Sequence, residues 1–152
     1  MKLIPLTQGK FAQVDDEDFE WISKWKWFFH NKGYAARGAP RNASKKRQLI
    51  MMHRVIINTP KGLDTDHKNR NRLDNTKENL RLATRSENLY NSKVRCDNKL
   101  KMKGVYKKQS KYLSRISENG KRVVIGLFDT PEAAHEAYQD AASRLHGEFF
   151  KV

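Results

Sequence analysis

The chain has 152 residues, 31 Lys and Arg against 17 Asp and Glu, and a formal net charge of +14. That length suits one medium domain or two small ones, and so positive a charge is costly to keep compact unless a polyanion relieves it. Nucleic acid is therefore the leading partner, ahead of an anionic membrane surface, and the single cysteine, Cys96, excludes an intrachain disulfide and a Cys-rich zinc site.

Met1–Pro5 lacks the long apolar run of a secretory signal. No later stretch approaches the ~20 apolar residues of a membrane span, so a reducing cytoplasm is the expected location. Lys2 to Leu6 and Lys10 to Val14 read as strands. Asp15-Asp16-Glu17-Asp18 places acid where a helix N-terminus favours it, and Phe19, Ile22 and Trp25 are expected on one face of that helix. Trp27, Phe28 and Phe29, the turn Asn31-Lys32-Gly33, then Tyr34 and Ala35 predict a hairpin. Core packing is favoured over base stacking for Trp21, Trp25 and Trp27. From Arg37 to Arg54 there are six basic residues (Arg37, Arg41, Lys45, Lys46, Arg47, Arg54) and no acid. The interspersed Gly, Pro, Asn and Ser predict a loop suited to phosphates. Gln48 to Ile57 is apolar and predicts a strand running into a short helix around His53 and Arg54.

The chemistry concentrates in residues 61–92. Asp66-His67 follows Pro60-Lys61-Gly62 and a short extended piece, and an Asn-rich polar loop runs from Lys68 to Lys77. Asn79-Leu80-Arg81-Leu82 alternates as a strand does. Thr84-Arg85-Ser86-Glu87 is a capping box and starts a helix. On this strand–loop–strand–helix frame Asn88 lies near the helix start, where a carboxylate, an imidazole and a carboxamide could converge. Oxygen ligands suit Mg²⁺ or Mn²⁺, one ion per site, with positions open to water and phosphate. A near-neutral imidazole can take a proton from water.

This stretch resembles the HNH (ββα-metal) nucleases, in particular their phage and intron-borne homing branch, over roughly residues 49–92. The matching residues are Asp66-His67, Asn79-Leu80 and Asn88. The resemblance implies Asp66 and Asn88 as metal ligands and His67 as general base. It implies that Asn79 bonds across the loop and holds the His67 backbone. His53, with Arg54 beside it, matches a recurrent supporting position. Asn88 in place of the family's final His argues against a structural zinc site.

Residues 93–103 carry five basic residues and predict a basic linker. Beyond it, strands are expected at Gly104 to Lys108, Lys111 to Ile116 and Arg122 to Phe128, with an Asn119-Gly120 hairpin turn. Asp129 or Thr130 then caps a helix with Pro131 at its first position. Ala134, Ala137, Tyr138, Ala141 and Leu145 form its predicted apolar stripe. From Lys101 to Phe128 there are eight basic residues and one acid; from Asp129 to Val152 there are two and five. The sheet is thus the expected DNA side, and the helix faces away. Gly104-Val105, Lys111-Tyr112, Gly126, Phe128-Asp129-Thr130, Glu132-Ala133-Ala134 and Ala137-Tyr138 make the segment similar to an AP2/ERF domain. That resemblance implies Lys103, Tyr106, Lys108, Arg115, Ser117, Arg122 and Val124 on the DNA face. Tyr106, Ser117 and Val124 replace the Arg, Arg and Trp usual there, so no target sequence carries over.

The expected fold is therefore α+β. A small N-terminal β-rich unit (1–48) precedes a ββα-metal core (49–92), the basic linker (93–103) and a three-stranded antiparallel sheet packed on one helix (104–152). The expected function is a site-recognising, metal-dependent endonuclease acting on double-stranded DNA. It would leave 5′-phosphate and 3′-hydroxyl ends and nick as a monomer, since one site per chain is expected. No membrane and no obligatory protein partner are implied; if phage-encoded, the protein would act in a bacterial cytoplasm. An inactive DNA-binding regulator and a ribosomal-type RNA-binding protein are the competing readings.

Overall fold

A computed structural model describes residues 1–40, 48–118 and 120–150. Arg41, Lys45, Lys46 and Arg47 of the predicted basic loop, and Asn119 of the predicted turn, lie outside the described residues. The chain divides into two units, Met1–Arg85 and Ser86–Val152. The architecture is mixed: several small sheets and, among the described residues, four α-helices, compatible with the α+β class.

The first unit opens with an antiparallel pair, β1 (Lys2–Pro5) and β2 (Phe11–Val14). Strand alternation turns Ile4, Ala12 and Val14 inward. Helix α1 (Asp16–Ile22) follows, with Asp16, Glu17 and Asp18 in its first turn, where the helix dipole favours acid. Asp15 occupies the cap position, yet its carboxylate accepts the Lys77 N–H at 2.8 Å rather than a helix N–H. The predicted Phe19–Ile22–Trp25 face is corrected by the helix ending at Ile22. Trp25 lies past that end and is 48% exposed. Trp27 is buried, and its indole N–H donates to the Ile22 carbonyl at 2.9 Å.

Strands β3 (Phe28–Phe29), β4 (Ala35–Gly38) and β5 (Leu49–Met51) form an antiparallel sheet in sequence order. Gly33 in the β3–β4 turn has φ +83°, a conformation that glycine adopts without steric cost. Helix α2 (Met52–Ile56) leaves β5 directly and buries Met52, His53 and Ile56. Strands β6 (Asp64–His67) and β7 (Leu80–Ala83) pair as an antiparallel ribbon. The Asn-rich loop between them leans on β2: the Gln13 N–H donates to the Leu73 carbonyl, and the Asn75 N–H to the Gln13 carbonyl, both at 2.8 Å. Ile4, Val14, Ile22 and Trp27 share one core with Met52, Ile56 and Leu80. The N-terminal hairpins and the ribbon are thus packed as one body, each fully buried aliphatic side chain contributing about 1.5–3 kcal/mol. Helix α3 (Arg85–Tyr90) begins immediately after Thr84, where the sequence places its cap.

In the second unit β8 (Val105–Lys108), β9 (Lys111–Glu118) and β10 (Lys121–Phe128) form an antiparallel meander. Helix α4 (Pro131–His146) packs on it. The Thr130 hydroxyl accepts the Ala133 N–H at 3.2 Å and Pro131 opens the helix, as the sequence predicts. The predicted stripe ending in Leu145 is corrected. The buried line is Ala134, Tyr138, Ala142 and His146, and Leu145 is exposed. A four-residue step sets this line, because the Tyr138 ring lies against Gly104 and the His146 ring stacks on Tyr90 at 3.5 Å. Gly104 has φ +79°, and a Cβ there would overlap the Tyr138 ring. Replacing Gly104 by alanine is expected to destabilise this unit by about 2–4 kcal/mol, combining backbone strain with overpacking. Urea unfolding checks this; an unchanged midpoint would mean that the ring gives way freely.

Candidate active site

Strand β6 ends on Asp66 and His67, both buried. Adjacent strand residues point to opposite faces. Asp66 is therefore in register with Arg81 of β7, whose Nε and NH2 donate to Asp66 Oδ2 at 2.8 and 2.7 Å. This pair fixes the carboxylate and balances its charge inside the fold. His67 turns to the other side, into a cluster of rings. Its ring centroid lies 5.1 Å from His53 and 5.9 Å from Tyr34, and Tyr34 lies 4.9 Å from His53.

The orientation of His67 follows from Asn75, which is fully buried in the Asn-rich loop. The Asn75 amide N–H donates to the Leu73 carbonyl at 3.1 Å, which turns its Oδ1 toward His67 Nε2, 3.5 Å away. An acceptor at Nε2 favours the tautomer with the proton on Nε2 and the lone pair on Nδ1. Burial pushes the His67 pKa below the ordinary imidazole value; the Asn75 bond and Asp66 act against this, and Arg72 with it. His53 is pushed down to about 3, chiefly by burial and then by His67 and Arg54. Both rings are thus neutral at neutral pH.

Asn79 spans the loop. Its Oδ1 accepts the Asn69 N–H at 2.9 Å and its amide donates to the Asp74 carbonyl at 2.7 Å. The loop is tightened next to His67 by two backbone bonds, Lys68 N–H to the Asn79 carbonyl and Arg70 N–H to the His67 carbonyl, both 2.9 Å. Arg54 donates to the Leu63 carbonyl at 3.0 Å, steadying the approach to β6. Asn88 is half-buried on α3, in the second unit.

A profile described as HNH endonuclease matches residues 51–90. An uncharacterised HNH endonuclease of Acanthamoeba polyphaga mimivirus is 33% identical over 149 residues, spanning 93% of this chain and 74% of that protein. The chain belongs to the HNH endonuclease family. It is a nuclease, and no solved structure matches it.

HNH nucleases generally use a divalent metal ion. The donor chemistry of this HNH nuclease fits such an ion. Asp66 offers a buried carboxylate already oriented by Arg81. Among the described residues no cluster of three or more His, Cys, Asp or Glu is placed to hold a metal.

The second unit of the HNH nuclease presents a separate charged surface. The β8–β9–β10 register places Tyr106, Lys108, Arg115, Ser117, Arg122 and Val124 on the sheet face opposite Ser114 and Ile116, which are buried. The Arg115 guanidinium carbon stacks 3.8 Å from the Tyr106 centroid. A register shift between Val124 and Gly126 keeps Val124 outward while Ile125 packs against the Ile116–Tyr138 core. Lys103 does not join that surface. It is half-buried, and its ammonium donates to the Leu89, Tyr90 and Ser92 carbonyls at 3.3, 2.7 and 2.8 Å. No helix among the described residues is long and apolar enough to cross a membrane.

Sequence reasoning missed Tyr34, Asn75 and Arg81. Asn75 lay within the Asn-rich loop, and Arg81 followed from pairing the two predicted strands about their turn. Tyr34 carried no local signal, because its partners lie far away in sequence.

Proposed function

We propose that this nuclease is a site-recognising DNA endonuclease of the homing type, reading duplex DNA through an AP2-like C-terminal sheet. The observation that carries the catalytic part is the buried His67 next to Asp66, its Nε2 turned to Asn75 and its pKa pushed below the ordinary imidazole value by burial. In this reading the His67 imidazole takes a proton from the attacking water, whose oxygen bonds to phosphorus as the P–O3′ bond breaks, and the departing O3′ takes a proton from solvent, leaving 5′-phosphate and 3′-hydroxyl ends. The family resemblance assigns Asp66 and Asn88 as the residues that would hold a metal. Asn79 keeps the loop closed beside His67, and His53 backs the His67 ring. A bound Mg²⁺ or Mn²⁺ supplies electrostatic stabilisation of the charge that builds on the phosphate. One such site per chain supports nicking by a monomer.

The outer sheet face supports the reading role: Lys108, Arg115 and Arg122 supply positive charge, and a sheet of this width fits the major groove. The acidic residues of α4 belong on the side away from DNA. The decisive assay is conversion of supercoiled plasmid carrying the target site to open circles. Mg²⁺-dependent nicking that EDTA stops is the expected result. Duplex binding without any nicking would make the chain a DNA-binding regulator instead. Within the reading face, Arg115→Ala is expected to cost about 1–3 kcal/mol of specific affinity and relax preference at one position. Equal weakening on all sequences would reduce Arg115 to a phosphate contact.

A further inference from the structure

Arg72 stands in the Asn-rich loop, exposed, on the side of the ring cluster. Its guanidinium carbon lies 4.8 Å from the centroid of Tyr34, the ring that also packs on His67. One NH1 hydrogen donates to the Lys32 carbonyl at 2.8 Å, and the side-chain stem runs past Gly33. An arginine carries five N–H donors in a planar fork. Stacking and a single carbonyl bond therefore hold the plane of the group while leaving most of its donors directed at solvent. A fork pre-oriented in this way loses little freedom when it binds an oxyanion, and its geometry matches phosphate.

The position matters as much as the geometry. The cation is separated from the proposed general base by one aromatic ring, and its charge reaches His67. The substrate of a nuclease brings a phosphate at every nucleotide, so a strand entering the site carries an anion past Tyr34. We propose that Arg72, braced on Tyr34 and the Lys32 carbonyl, is a phosphate-binding residue for the DNA strand being cut. It engages a phosphate neighbouring the scissile one. This rests on the nuclease assignment and adds to it a binding contact made jointly by the loop and the β3–β4 turn.

A purely structural brace, tying the loop to the turn, would explain the same contacts but not a response to substrate charge. The test is a set of duplexes in which single phosphates flanking the mapped cut are replaced by uncharged methylphosphonates. Each is cleaved by the wild-type protein, Arg72→Ala and Arg72→Lys. One replacement is expected to slow the wild type roughly 10- to 100-fold, as loss of a charge-assisted bond would. That same replacement should have no further effect on Arg72→Ala, and Arg72→Lys should fall between. Equal losses for wild type and Arg72→Ala at every position would overturn the contact, as would wild-type kinetics in Arg72→Ala. A wild-type protein that cuts no duplex would remove the proposed duplex-cleaving reading and this inference together.

Discussion

Replacing His67 by alanine is expected to lower the cleavage rate by about 10²–10⁴-fold, the usual cost of losing a general base. Duplex affinity should stay within a few fold, because the ring is buried among Tyr34, His53 and Asn75 rather than laid on the surface. The pH profile adds a second reading of the same residue. A general base works unprotonated, and burial pushes the His67 pKa below the ordinary imidazole value. Activity should therefore persist to lower pH than a solvent-exposed imidazole would allow, then fall as the ring takes up its proton. Turnover by His67→Ala at the wild-type rate would remove the assignment.

Acid should loosen the first unit through His53. Its folded pKa is pushed down to about 3 by burial, His67 and Arg54, whereas an unfolded imidazole titrates near 6.5. The sign follows from counting protons. Between these values the unfolded chain holds a proton at this position and the folded chain does not, so stability falls with falling pH. The contribution is intact above about pH 6.5 and is lost progressively down toward pH 3, at up to about 1.4 kcal/mol per pH unit. Its buried Nδ1 has no hydrogen-bond partner, so the N–H of a charged ring would find no acceptor there. Urea midpoints measured across that window should show a flatter slope for His53→Phe than for wild type. Parallel slopes would place the acid sensitivity elsewhere.

How much of this was legible in the sequence depended on how local the cause was. Thr130 and Pro131 announce α4 because a cap acts over three residues. The Asp66–His67 ribbon follows from alternation over some twenty residues, whereas the loop bonds of Asn79 are implied only by the family resemblance. The packing of α4 did not follow, since Leu145 and His146 compete for one face. What decides between them is Tyr90, over fifty residues earlier. Trp25 misled for a related reason: the helix period was extended past Ile22, where the helix stops. Tyr34 reaches His53 and His67 only because β4 lies beside β5 and α2 springs from β5, a pairing that joins segments on either side of the basic loop. The candidate site residues are visible in the sequence, whereas the aromatic walls around them depend on long-range pairing.

The C-terminal sheet has two faces with separate obligations. Ser114, Ile116 and Val105 meet the helix side and are buried, while Tyr106, Arg115, Ser117, Arg122 and Val124 alternate with them outward. Exchange of an outward side chain leaves the inward packing untouched, since a pleated strand gives each residue to one face alone. Such a surface can drift, or be randomised in a library, at little expense to folding. If that face reads DNA as proposed, a lineage carrying it can change its target by single substitutions, each tried on an intact scaffold.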